Sequence, residues 1–208
     1  MKYQPHQIYH IYNQGNNKQK IFFQKRNYRF FLGKMRKYLL PVADILCYCL
    51  MPNHFHWLVY TRPEACWPSK AVKPRKKYKP GDALDRRPFP EDDYQQTFSH
   101  CIGMLLSSYT RAINNQEKRS GSLFRPKTKA KDGWIDDFIT LEGKHRNLFF
   151  RPDNSYALQC LEYIHKNPEE AKLVSKAESW PYSSARDYAG MRKRSLCNLT
   201  LGKELLGI

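Results

Sequence analysis

The sequence predicts an α+β fold: an antiparallel sheet laid down in the order β-α-β-β-α-β, with helices on one face and an additional C-terminal helix. Three observations predict it. Four short β-type runs recur along the chain, runs at helical spacing separate the first from the second and the third from the fourth, and the middle two are joined by only three residues.

Ile8-Tyr9-His10-Ile11-Tyr12-Asn13 alternates in a β-rich vocabulary and then meets the turn formers Gln14-Gly15-Asn16-Asn17. Beyond Asn27, the residues Tyr28, Phe31, Leu32, Met35, Tyr38 and Leu39 form an apolar stripe at helical spacing, closed by Pro41. Ala43 to Leu50 and His54 to Tyr60 are two apolar runs joined by Met51-Pro52-Asn53, a tight connection that starts the third strand at His54. Thr97 to Ile113 returns to helical spacing, with Phe98, Ile102, Leu105, Leu106, Tyr109 and Ile113 on its buried stripe. Leu123 to Lys131 then alternates, so that Arg125, Lys127, Lys129 and Lys131 share one face of a fourth strand, about 7 Å apart per step. This order is the split β-α-β arrangement of a ferredoxin-like sheet.

Asp132 to Phe150 carries no clear pattern. Asn154 is placed to cap a further helix from about Ser155 to Asn167, stopped by Pro168. Leu158 and Leu161 are expected to pack against the sheet, and Tyr156, Cys160, Tyr163 and Asn167 form a second stripe, with Tyr163 and Asn167 one turn apart. Ser183 can cap a short helix through Tyr188, and the last residues end apolar enough at Leu205-Leu206 to dock back.

A chain of 208 residues accommodates one domain, here residues 1–190 with a tail over 191–208. Residues 62–93 interrupt it with six prolines and the basic cluster Lys73, Arg75, Lys76, Lys77 and Lys79. Such a stretch buries little, and reads either as a solvated loop or as an arm contacting nucleic acid. The whole chain carries 36 Lys+Arg against 19 Asp+Glu, a formal charge of +17. An imbalance of that size points to a polyanionic partner, nucleic acid before any other. No amphipathic basic helix, lipidation signal or spanning apolar run favours a membrane. The amino terminus has no secretory signature, so a cytoplasmic location is expected, and the six cysteines, without a C-x-x-C, read as reduced thiols.

The stretch that asks for chemistry is Met51-Pro52-Asn53-His54-Phe55-His56. Two histidines around one apolar residue put both imidazoles on the same face of a strand, half of a metal site. Together with Gly121-Ser122-Leu123-Phe124-Arg125, Tyr163-Ile164-His165-Lys166-Asn167-Pro168 and Trp180-Pro181-Tyr182-Ser183-Ser184-Ala185-Arg186-Asp187-Tyr188, this stretch resembles the REP-associated tyrosine transposases. Those form a single-tyrosine branch of the HUH endonucleases, and the resemblance runs from about Tyr9 to Tyr188.

The resemblance implies that His54 and His56 are metal ligands, that Asn167 is the third, and that Tyr163 is the nucleophile. Two imidazoles and an amide oxygen suit Mg²⁺ or Mn²⁺ shared with substrate phosphate oxygens. It further implies single-stranded DNA beside a hairpin or palindrome as substrate, and a 5′-phosphotyrosine intermediate. Arg125, Lys127, Lys129, Lys131, Lys76 and Lys77 are the candidate DNA contacts. The alternative is a non-catalytic nucleic-acid-binding regulator with the same fold. Monomer and homodimer stay equally open.

Overall fold

Residues 2–69, 95–132 and 156–208 are described by a computed structural model. Their elements are β1 (Ile8–Gln14), α1 (Lys25–Tyr38), β2 (Ala43–Met51), β3 (His54–Thr61), α2 (Pro63–Cys66), α3 (Thr97–Gln116), β4 (Lys129–Asp132), α4 (Tyr156–Glu170), α5 (Ala185–Tyr188) and α6 (Leu199–Leu206). The sheet runs β2-β3-β1-β4 with every pairing antiparallel, the strand order of a ferredoxin-like fold.

Alternation in β3 sends Phe55, Trp57 and Val59 to one face and His54, His56 and Leu58 to the other. The first face is covered by α1 and α3, which bring Phe31, Met35, Phe98, Leu105 and Tyr109 against Ile11, Ile45, Phe55 and Trp57. Each such side chain, fully withdrawn from water, contributes about 1.5–3 kcal/mol. The second face is as apolar in β2 and β3, with Leu46, Cys47, Cys49, Met51 and Leu58 all buried. It cannot be left to solvent, and α4 covers it through Ala157, Cys160, Leu161 and Ile164. Helices therefore lie on both faces, and the tyrosine-bearing helix has the second face to itself and α6.

Several boundaries depart from the sequence reading. The fourth strand covers four residues, not nine: Phe124 makes an isolated bridge to Gly15, Arg125 N–H donates to the Gln14 carbonyl, and the chain bends at Pro126-Lys127 before pairing resumes at Lys129. Pro126 has no N–H to offer a ladder, so the continuous row of four cations does not form. Helix α4 is not stopped by Pro168 but carries it inside its last turn and ends at Glu170. The stripe of α4 toward the sheet is Cys160, Ile164 and Asn167 as well as Leu161, while Leu158 is half-buried. At the entrance to the proline-rich stretch α2 forms, and Pro68 and Ser69 pair with Gln96 and Gln95. Lys76, Lys77 and Asn154 lie outside the described residues.

Edge strand β2 is protected by the chain after α4. Leu50 N–H donates to the Tyr182 carbonyl, Ser184 N–H to the Tyr48 carbonyl, and the Trp180 indole to the Leu50 carbonyl. The last residues return to β2 as well, with Leu196, Cys197 and Leu206 buried and Asn198 capping α6. At the other end, Gly15 N–H donates to the Asn53 carbonyl and holds the β2–β3 connection. A Cβ at Gly15 would overlap the Gln19 carbonyl oxygen, so glycine alone permits this close approach.

His165, on the flank of α4, is buried, and its Nε2 lies 2.8 Å from Ser184 Oγ, which also accepts from the Tyr48 N–H. Burial drives its imidazole from the usual 6.5 down to about 4. Because the unfolded chain takes up this proton first, the neutral imidazole stabilises the fold above pH 6.5 and that stability is lost as pH falls toward 4. The expected loss from this group is about 2 kcal/mol between pH 7 and 5. Urea unfolding of native protein and His165→Gln at both pH values checks it, since the glutamine amide keeps a donor to Ser184 without titrating. Equal pH dependence in the two proteins would remove His165 as the cause.

Candidate metal and tyrosine site

Four side chains singled out in the sequence meet on the α4 side of the sheet. His54 and His56 project from the start of β3, their rings 5.1 Å apart and nearly perpendicular. Asn167 and Tyr163 come from α4, one turn apart. His54 Nε2 stands 3.4 Å from Asn167 Oδ1, and the Tyr163 ring packs edge-on to His56 with centroids 5.4 Å apart.

The hydrogen-bond partners assign the orientation of each polar group. Asn53 Nδ2 donates to the Lys18 carbonyl, which turns its Oδ1 toward His54 Nδ1, 2.7 Å away. His54 therefore carries its proton on Nδ1 and presents a lone pair at Nε2. Asn167 Nδ2 donates to the Tyr163 carbonyl, which turns its Oδ1 toward that lone pair. Two acceptors facing each other at 3.4 Å repel unless a cation or a donor sits between or beside them.

His56 follows the same logic one layer deeper. Its Nδ1 is 2.9 Å from His10 Nε2, and His10 Nδ1 is 3.8 Å from Cys160 Sγ. With His10 donating toward sulfur and accepting from His56, His56 Nε2 is left with its lone pair, as a ligand requires. Burial holds both His54 and His56 below the usual imidazole range, so both are neutral near pH 7. The donor set of two neutral imidazoles and one amide oxygen thus fits a hard divalent cation that keeps open positions for phosphate oxygens. Among the described residues no cluster of three His, Cys, Asp or Glu is found.

Tyr163 is half-buried. Burial pushes its phenol up, and the Asn167 side chain pulls it part of the way back. The same asparagine is thereby tied to the histidine and to the phenol.

The predicted DNA contacts are dispersed. Lys129 lies on the site's side of the sheet, its Nζ 6.0 Å from the centre of the Tyr12 ring, which stacks on His56. Lys131 pairs with His10 in the β1–β4 register. Arg125 lines a groove of about 450 Å³ beside α3, across the sheet from the histidines, and Lys127 is exposed in the bend.

His10, Asn53 and Tyr12 belong to the site without a sequence argument having placed them there. The available signal was the alternation His10-x-Tyr12 in β1, which puts both on one face, but that this face is the histidine face depends on the β1–β3 register. Replacing His10 with Phe removes the acceptor that orients His56. The expected result is about 10–100-fold weaker Mn²⁺ binding to the protein–DNA complex, read by titration, and a loss of about 1–3 kcal/mol of stability from the unpaired His56 N–H. Unchanged affinity would make His10 a packing residue.

No family model matches the chain, and no curated protein matches it. Among solved structures, a REP-associated tyrosine transposase bound to a REP hairpin superimposes with a TM-score of 0.53 over 92% of this chain and 86% of that one, at 17% identity. The chain has the fold of a REP-associated tyrosine transposase. At that identity the likeness is one of fold, as the sequence motifs led one to expect, and the arrangement of His54, His56, Tyr163 and Asn167 is this chain's own geometry. Among the described residues no helix is long and apolar enough to cross a membrane.

Proposed function

We propose that the protein is a metal-dependent DNA transesterase of the single-tyrosine HUH type, cleaving and rejoining single-stranded DNA beside a hairpin or palindrome. The observation that carries this reading is the convergence of Tyr163 and Asn167, from one turn of α4, on His54 and His56 of β3.

In this reading Tyr163 Oη attacks the scissile phosphorus, the P–O3′ bond breaks, and a 5′-phosphotyrosine and a free 3′-hydroxyl result. Return attack by a 3′-hydroxyl releases the phenol, so rejoining consumes no nucleotide cofactor. A phenol suits both directions, being easier to ionise than an alcohol at about pKa 10 and a better leaving group. His54, His56 and Asn167 would hold Mg²⁺ or Mn²⁺, which would supply charge neutralisation at the non-bridging phosphate oxygens. His10 and Asn53 keep the two imidazoles in the tautomers that bind metal, and Asn167 sets the phenol beside them. Lys129, at the rim over the Tyr12 ring, offers a cation to the approaching strand.

The test is a labelled single strand carrying a hairpin, incubated with the protein and Mn²⁺ and run on a denaturing gel. A covalent protein–DNA band dependent on metal is expected. Hydrolysed ends without a covalent band would overturn the mechanism, and binding without cleavage would favour the regulator.

A further inference from the structure

A cationic groove lies on the α1 side of the sheet, opposite the tyrosine site. It has a volume of about 550 Å³ and is walled by α1 and by the chain after α5. Lys25, Arg29, Leu32, Gly33 and Arg36 fall at i, i+4, i+7, i+8 and i+11, one face of α1, and Arg194 faces them from the other wall. No carboxylate lines the groove among the described residues. Arg192 is there too, but its guanidinium is spent within the chain, on the Tyr48 hydroxyl, Asp187 and the Pro181 carbonyl. Lys25, Arg29, Arg36 and Arg194 are left exposed, four charges on a built concavity.

Gly33 is the second observation. Glycine inside a helix is destabilising relative to alanine, yet a Cβ here would meet nothing within 4 Å. No packing within the described chain requires it. What it provides is bare helix backbone at the groove floor, where a ligand can approach closely.

We infer that this groove binds the phosphate backbone of duplex DNA, the paired stem next to the strand that Tyr163 engages. The inference rests on the DNA reading above. Lys25 to Arg29 spans about 6 Å and Arg29 to Arg36 about 10.5 Å along the helix axis. The first step is close to the separation of neighbouring phosphates along one strand, and the second lets Arg36 reach a phosphate farther along the backbone. Arginine forks match phosphate oxygens two at a time. A single strand would ask for free ring faces, and of the two aromatics in the wall Tyr48 is buried and Tyr182 is stacked on Tyr28 at 3.8 Å. DNA engaged at both sites passes around the β2 edge, along the Trp180 to Ser184 segment that seals it.

The test compares a fluorescein-labelled DNA hairpin bearing a single-stranded tail with the same tail alone, using the full chain. In the Arg29→Ala/Arg36→Ala/Arg194→Ala protein, hairpin affinity is expected to fall tenfold or more, and its dependence on log salt to become shallower by about three. Gly33→Leu, which suits a helix and fills the floor, is expected to weaken the hairpin in the same way. Tail binding and adduct formation on the tail stay unchanged. Unaltered hairpin affinity in both proteins, or equal losses on hairpin and tail, overturns the inference. A hairpin-specific loss in a protein that forms no adduct on either probe supports the groove while the Tyr163 reading fails.

Discussion

Tyr163→Phe is expected to abolish the covalent protein–DNA band, a loss of about 10⁴-fold or more, while DNA binding changes little. The substitution removes one oxygen and leaves the ring in place against His56 and His10, so the two histidines keep their setting. The phenol is half-buried and its loss leaves no buried group unpaired beyond the Asn167 contact, so folding is expected to change by about 1 kcal/mol or less. The other tyrosines from α4 to α5 are committed elsewhere. Tyr156 is buried in the first turn of α4, Tyr182 is stacked on Tyr28, and the Tyr188 hydroxyl donates to the Leu46 carbonyl. None of them can substitute without repacking. A covalent band that survives in the phenylalanine protein would end the assignment of Tyr163.

His54→Ala should have an effect of comparable size, through a different quantity. With the imidazole gone, Asn167 Oδ1 loses the lone pair that faces it at 3.4 Å and would share the cation, and His56 alone cannot hold a hard cation. Adduct formation is expected to fall by about a hundredfold or more, and the rise in unfolding temperature on adding Mn²⁺ to the protein–DNA complex to disappear. For a native complex with metal at a hundred times its Kd, that rise corresponds to about 2.7 kcal/mol. The unfolding readout separates metal loss from damage to the phenol: Tyr163→Phe should retain the Mn²⁺ effect. An alanine protein that still gains stability from Mn²⁺ would place the metal elsewhere.

The fourth strand marks where reading by periodicity failed. Arg125, Lys127, Lys129 and Lys131 alternate correctly in sequence, but alternation is a necessary pattern for a strand and Pro126 denies the ladder a donor within it. The bend it forces sends Arg125 to the α3 groove and leaves Lys129 near the histidines. Pro168 erred in the other direction. A proline in the last turn of a helix need only forgo one hydrogen bond, so α4 carries it and stops at Glu170.

The order of strands and helices, the common face of His54 and His56, and the one-turn spacing of Tyr163 and Asn167 are legible in the residues alone. These follow from periods of two and 3.6 residues, which are local properties of the backbone. The tertiary structure alone decided that α4 takes the histidine face, that His10 and Asn53 fix the two tautomers, and that α1 and Arg194, more than 150 residues apart, close a cationic groove. Those depend on strand register and on which apolar face packs against which, and no local period encodes either.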